Sequence, residues 1–275
     1  MKRTVAFLLV SCLAISAHAA SGKLLRVGVL PTLSPKVLLG NYQPLRTYLE
    51  RELQQPVELL TAPDFRRFNQ DTLAGDFDLL VTAPHLARLA QMEAGYQPIA
   101  TYLSINRAIL ITAQSKPVKH AEELRGGSLA IFDPLGLIVF EARQWLEDQG
   151  LVSGRDYEAV VFPSHNSVGQ SVQQGDSPLG VVSPAGLRQL APEIAARIRV
   201  FKELPPAPAL IWIAHPRTGM VARYQDLLLR FAASPEGERF YAGNAYKGMR
   251  APTPQEMRSL DQAAREVKRL LQAHP

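Results

Sequence analysis

The chain has 275 residues, 20% of them charged and 47% in the hydrophobic set, with a formal net charge of +5. This is a globular composition with room for one large or two smaller domains. Lys and Arg are scattered, with no basic block interleaved with aromatics, which argues against a nucleic-acid partner.

Residues 1–20 read as a cleavable signal peptide. Lys2-Arg3 is the positive start, Val5 to Ile15 the apolar stretch and Ala17-His18-Ala19 the cleavage site. No other stretch approaches the ~20 apolar residues of a membrane span. The expected location is therefore the periplasm. The only cysteine, Cys12, lies inside this leader, so no disulfide is expected. The apolar run before Cys12 is short and apolar sequence continues after it, which argues against lipidation there.

Leu24 to Leu30 is a β-branched, apolar run and reads as a buried strand ending at Pro31. Thr32 to Asn41 is rich in turn residues and reads as a loop. Leu45, Tyr48, Leu49 and Leu53 recur at helical spacing and predict a helix over 42–53. A strand follows at 57–61. Asp64 caps a helix over 65–73, and Gly75 stops it. A strand at 77–82, a helix at 84–93 ended by Gly95, and strands at 99–102 and 108–112 complete the first unit. Gln114 to Lys119 is polar, contains Pro117 and reads as a crossing segment.

The pattern then restarts. A short helix at 121–124 precedes a strand at 128–132. Asp133-Pro134 punctuates the junction, with Asp133 a candidate N-cap and Pro134 suited to the first helical position of a helix running to Gln149. Strands at 159–162, 179–182 and 198–201 alternate with helices at 165–174 and 185–190. Leu204 to Pro208 is proline-rich and reads as a second crossing. An apolar stretch at 210–214 and helices at 219–233, 236–241 and 254–272 follow. Alternating strands and helices argue for a parallel-rich α/β fold. Two crossings argue for two lobes: 21–113 with 205–275, and 114–204. The hinge is expected near 113–118 and 203–209. The strand–helix junctions of such sheets are where ligands bind.

Catalytic signatures are missing from this reading. The mature chain has no cysteine nucleophile, no HExxH, no GxSxG and no Walker loop, and its histidines lack metal-ligand spacing. Ser164 and His165 are adjacent, which gives no base-to-nucleophile geometry. Neither enzyme activity nor a cofactor nor a metal is expected.

The runs LRVGVLPTLSP (25–35), PLRTYLERELQQPVELLTAPDF (44–65) and LAGDFDLLVTAP (73–84) resemble the phosphate/phosphite/phosphonate ABC-transporter substrate-binding proteins. So do ELRGGSLAIFDP (123–134), FPSHNSVGQSVQQGD (162–176) and LPPAPALIWIAHP (204–216), in the family's order and spacing. The resemblance covers nearly the whole mature chain. It implies a type 2 periplasmic binding protein: two α/β lobes, a two-strand hinge and a ligand cleft between them. It implies capture of a small molecule by a monomer for an inner-membrane ABC permease. The alternative is a sensory binding protein signalling to a membrane receptor such as a histidine kinase or cyclic-nucleotide enzyme.

The resemblance also implies site residues, and several depart from the family's pattern. The Ser-Thr-Ser tract after the Asp-Pro turn is replaced by Gly136-Leu137-Ile138. A tyrosine after Ala-Pro-Asp is replaced by Phe65, and one near the end of the third strand by Thr82. The acidic positions that meet an aminoalkylphosphonate's amino group map to Ala185 and Leu210. His165 is retained, between Ser164 and Asn166. The expected ligand contacts are Phe65, Thr82, Gly136, Leu137, Ser164, His165 and Asn166. A phosphonate moved from water into a cleft needs donors to replace its hydration. With these donors lost, weak phosphonate binding and a less charged or more apolar ligand are expected. Backbone N–H groups near Gly136 remain available for one anionic group.

Overall fold

The computed structural model describes residues 23–244 and 246–273. The stretch read as a signal peptide, residues 1–20 with Cys12, lies outside them. The first lobe opens with β1 (Leu25–Val29), α1 (Pro35–Leu53), β2 (Val57–Leu60), α2 (Phe65–Leu73), β3 (Leu79–Thr82), α3 (Pro84–Ala94) and β4 (Gln97–Tyr102). The second lobe follows with β5 (Ile109–Ala113), β6 (Ser128–Ile131), α4 (Leu137–Asp148), β7 (Glu158–Val161) and α5 (His165–Gln174). It is completed by β8 (Leu179–Val182), α6 (Pro184–Arg188), α7 (Pro192–Ala195) and β9 (Ile198–Glu203). The chain returns to the first lobe for β10 (Ile211–Ala214), α8 (Val221–Ala232), α9 (Pro235–Asn244), β11 (Met249–Arg250), α10 (Pro254–Ser259) and α11 (Asp261–Ala273).

Each lobe is built on one sheet. The first has six strands in the order β11-β4-β10-β3-β1-β2, and the second has five in the order β7-β6-β8-β5-β9. In each, the strands of β-α-β units pair in parallel; β10 and β5 pair antiparallel with both of their neighbours, and β11 pairs antiparallel with β4. Alternation along the strands divides the first lobe's core. Val27, Val29, Leu79 and Val81 face α1, α8 and α9, whereas Leu80, Ile211 and Ile213 face α2, α3 and α11. Helices thus cover both sheet faces, as a parallel-rich sheet requires. Gly28 is needed for this packing: a Cβ there would lie 2.9 Å from the Phe77 ring and 3.0 Å from Leu80.

Three expectations are corrected. Residues 35–41 are helical, not a loop. Pro35 occupies the first turn, where its missing N–H costs nothing, and Leu38, Tyr42, Leu45 and Leu49 form one buried stripe. Gly40, Asn41 and Pro44 mask that stripe in the sequence. The lobe boundary and first hinge strand also move. β5 pairs with β8 and β9 in the second sheet, so the first crossing lies at 103–108 rather than 113–118. There Asn106 and Ala207 exchange backbone hydrogen bonds at 3.2 and 2.8 Å, tying the two crossings together. Polar Gln114–Lys119 is only the turn after β5. Finally, α4 starts at Leu137 with Gly136 as N-cap. Asp133 instead accepts the Leu135 N–H at 2.8 Å in an Asx turn, which delays the helix.

Candidate functional site

A cleft of about 600 Å³ lies between the lobes, of the size that ordinarily holds a small molecule. Its floor is the loop from β6 to α4. This loop belongs to the second lobe but reaches into the first. Leu135 is only 2% exposed and joins the core formed by α2, α3 and α11. His85, buried in α3, donates from Nε2 to the Leu135 carbonyl at 2.7 Å. Across the same seam Phe65 meets Phe132 edge-on, with ring centroids 6.2 Å apart, and Gln262 donates to Gln144 at 3.3 Å. These contacts hold the lobes together on one side of the cleft.

Of the expected contacts, Phe65, Gly136, Leu137 and His165 line the cleft. Phe65 reaches it because Asp64 caps α2 by accepting the Arg67 N–H at 2.7 Å, which fixes the helix start beside the seam. His165 opens α5, its ring 5.0 Å from that of Phe132. The ring rests on Gly186, where a Cβ would stand 2.6 Å from the imidazole Cγ. Burial lowers the His165 pKa to about 4, and its Nδ1 is buried without a partner.

The other three sit elsewhere. Thr82 is buried inside β3, paired with Ile211 and away from the lining. Ser164 caps α5, its Oγ accepting the Ser167 N–H at 3.1 Å. Asn166 accepts the Ala191 N–H at 2.8 Å and so holds the α6–α7 connection. The Gly136 N–H, expected to be free for an anion, donates to the Asp133 carbonyl at 3.0 Å.

The two positions where the resemblance implied acids, Ala185 and Leu210, do line the cleft. Other lining residues were missed. Leu103, Ser104, Ile105 and Asn106 face it because the first crossing lies there, hidden in the sequence between two apolar strands. Ser104 Oγ is buried without a partner. Tyr42 and Tyr246 form another wall. Tyr246 stacks on Tyr102 at 4.2 Å, and the Tyr102 hydroxyl receives the Trp212 indole N–H at 3.1 Å.

The charges are few. Asp133 lines the interior, and burial raises its pKa to about 6 against the backbone N–H groups of Leu135 and Phe65. Arg188 and Lys247 are the cations of the lining, and both are exposed. Among the described residues no group of His, Cys, Asp and Glu is placed to hold a metal ion, and no helix is long and apolar enough to cross a membrane.

Two α/β lobes, a double crossing and an interlobe cleft define a type 2 periplasmic binding protein. The model of the family described as "ABC transporter, phosphonate, periplasmic substrate-binding protein" matches residues 27–257, and the chain belongs to that family. Among solved structures it is similar to XAC2383 from Xanthomonas citri bound to ATP, at 19% identity and a TM-score of 0.75, covering 92% of this chain and 99% of that one. It is similar to a binding protein component of an ABC phosphonate transporter (PA3383) from Pseudomonas aeruginosa, at 14% identity and 0.75, covering 91% and 89%. PhnD1 from Prochlorococcus marinus in complex with methylphosphonate matches at 13% identity and 0.76, covering 90% and 98%. At these identities the structures establish the fold.

Proposed function

We propose that this protein is a periplasmic solute-binding protein that captures a small molecule other than a simple phosphonate and delivers it to an inner-membrane ABC permease. The observation that carries this reading is the chemistry of the cleft interior. Phe65, Phe132, Leu137, Ile138 and Leu210 line it, Asp133 is its one interior charge, and its cations stand in solvent. A doubly charged phosphonate placed deep in that space meets the Asp133 carboxylate and no interior cation, with only neutral donors such as Asn41, Ser104 and Asn106 beside it. Neutral donors alone offset its desolvation cost less well than charged ones do. Phe65, Gly136, Leu137 and His165 are the contacts we assign to the ligand.

A thermal-shift screen of the mature chain tests the reading. The panel holds phosphate, phosphite, methylphosphonate and aminoethylphosphonate beside uncharged and apolar metabolites. A ligand at a hundred times its dissociation constant stabilises the native state by about 2.7 kcal/mol, readily seen as a shift. Stabilisation by a member of the second group, abolished by the cleft-filling substitution Ala185→Trp, supports the proposal. Stabilisation by the phosphorus anions alone refutes the altered specificity. Genes for a permease and ATPase beside this one favour delivery. A neighbouring receptor kinase with no permease favours signalling.

A further inference from the structure

The cleft's cations lie on its exposed part, while its acid, Asp133, lies within. Within the interior the side chains are mostly aliphatic or aromatic, interrupted by Asp133, neutral His165, the amides of Asn41 and Asn106 and the hydroxyls. Toward the hinge the apolar lining runs out to the surface through Leu103 and Ile105, which are 53% and 60% exposed. Such large aliphatic groups left in water at the edge of an apolar cleft extend the surface a ligand can cover. Arg188 ends α6 in the second lobe, and Lys247 precedes β11 in the first. Both are exposed lining residues, and among the described residues neither makes an ion pair or side-chain hydrogen bond. Most other exposed arginines among the described residues are paired, as Arg51 is with Glu236, Arg125 with Asp156 and Arg250 with Glu256. These two cations thus belong to the exposed part of a cleft whose interior holds a carboxylate and much apolar surface.

We propose that the ligand is an amphipathic anion whose apolar body fills the cleft between Phe65, Phe132, Leu137 and Leu210 while its acidic group stays at the mouth between Arg188 and Lys247. This rests on the small-molecule-binding reading above and deepens it by naming the ligand class and its orientation. Charge complementarity sets the direction. An acid group turned inward would meet Asp133, whereas one turned outward keeps part of its hydration and gains two cations. The unpaired Ser104 Oγ and His165 Nδ1 offer neutral hydrogen bonds to a polar atom partway along the body.

Calorimetric titration of the mature chain with acetate, butanoate, hexanoate and octanoate, beside octanamide and methylphosphonate, tests it. Affinity should rise about fourfold per added methylene until the cleft is filled. Arg188→Gln and Lys247→Gln should each weaken octanoate about two- to fivefold, as exposed charge pairs do, and leave octanamide unchanged. Ala185→Trp should remove both. A response flat in chain length overturns the proposal, as does equal loss of octanoate and octanamide in the charge variants, or no loss in either. Binding of methylphosphonate with silence from octanoate overturns the amphiphile while leaving a solute-binding role intact. Silence from this series with a hit among polar metabolites does the same, and silence from every compound overturns both readings.

Discussion

Leu135→Ala separates closure of the lobes from their folding. Leu135 is carried by the second lobe, yet its side chain is 2% exposed within the first lobe's core. If the lobes part at the 103–108 and 204–210 crossings, this side chain returns to water while both lobes stay folded. Truncation to alanine removes about three carbon groups, worth roughly 2–3 kcal/mol at ~0.8 kcal/mol each. That penalty falls on the closed state, and it reduces the closed-to-open ratio by roughly 30- to 150-fold. Small-angle scattering of the ligand-free variant should show a larger radius of gyration. Leu146→Ala is the control: Leu146 is fully buried in the second lobe's own core, so it should lower the melting temperature without changing the scattering. If Leu135→Ala leaves the scattering unchanged and simply melts earlier, Leu135 does not control closure. Leu135 would then be an ordinary core residue of a single unit.

Replacing Gly136-Leu137-Ile138 by Ser-Thr-Ser should raise affinity for methylphosphonate, since hydroxyls return to the cleft wall. A serine Cβ at 136 would sit 3.1 Å from the Asp133 carbonyl, so the loop must yield slightly, and no gain in calorimetry counts against the mapping. Gly186→Ala should destabilise by about 1–3 kcal/mol, because its methyl meets the His165 ring at 2.6 Å. Adding His165→Ala should recover most of that loss in a double-mutant denaturation cycle. Stability should depend on pH from two sides. His85 and His165 are held neutral by burial with pKa values near 4, so their stabilisation is complete above about 6.5 and is lost as pH falls through 4. Burial raises Asp133 to about 6 and Glu141 to about 7, so their contribution is present at acid pH and is lost as pH rises through those values. Urea denaturation across this range should show the acid limb flattened by His85→Gln, and an unchanged limb would mean that His85 is not held neutral in the folded state.

The strand–helix alternation and both cores were readable because they rest on local periodicity. Buried runs such as Leu25–Val29 and Leu79–Thr82 have one interpretation, and Asp64 announces its helix through a cap that the folded chain uses. At the hinge, sequence contrast points to the wrong segment. Gln114–Lys119 looks like a linker because it is polar, whereas the true crossing carries Leu103 and Ile105, whose exposure no local pattern reveals. The site divides the same way. Phe65, Gly136, Leu137 and His165 lie at strand–helix junctions, which the fold aims at the cleft. Ser164 and Asn166 lie at such a junction too, but their side chains satisfy backbone N–H groups instead. Asp133 shows the limit most clearly. Its Asx turn is local, but its place at the seam depends on how Leu135 docks into the other lobe.

The ligand proposed for the interlobe cleft is a small molecule other than a simple phosphonate. Native mass spectrometry of the full chain, expressed and purified without denaturation, tests this most directly. The expected spectrum shows a discrete small-molecule adduct that contains an apolar body and disappears in Ala185→Trp. An adduct of phosphate or a simple phosphonate, displaced by the same substitution, would contradict it.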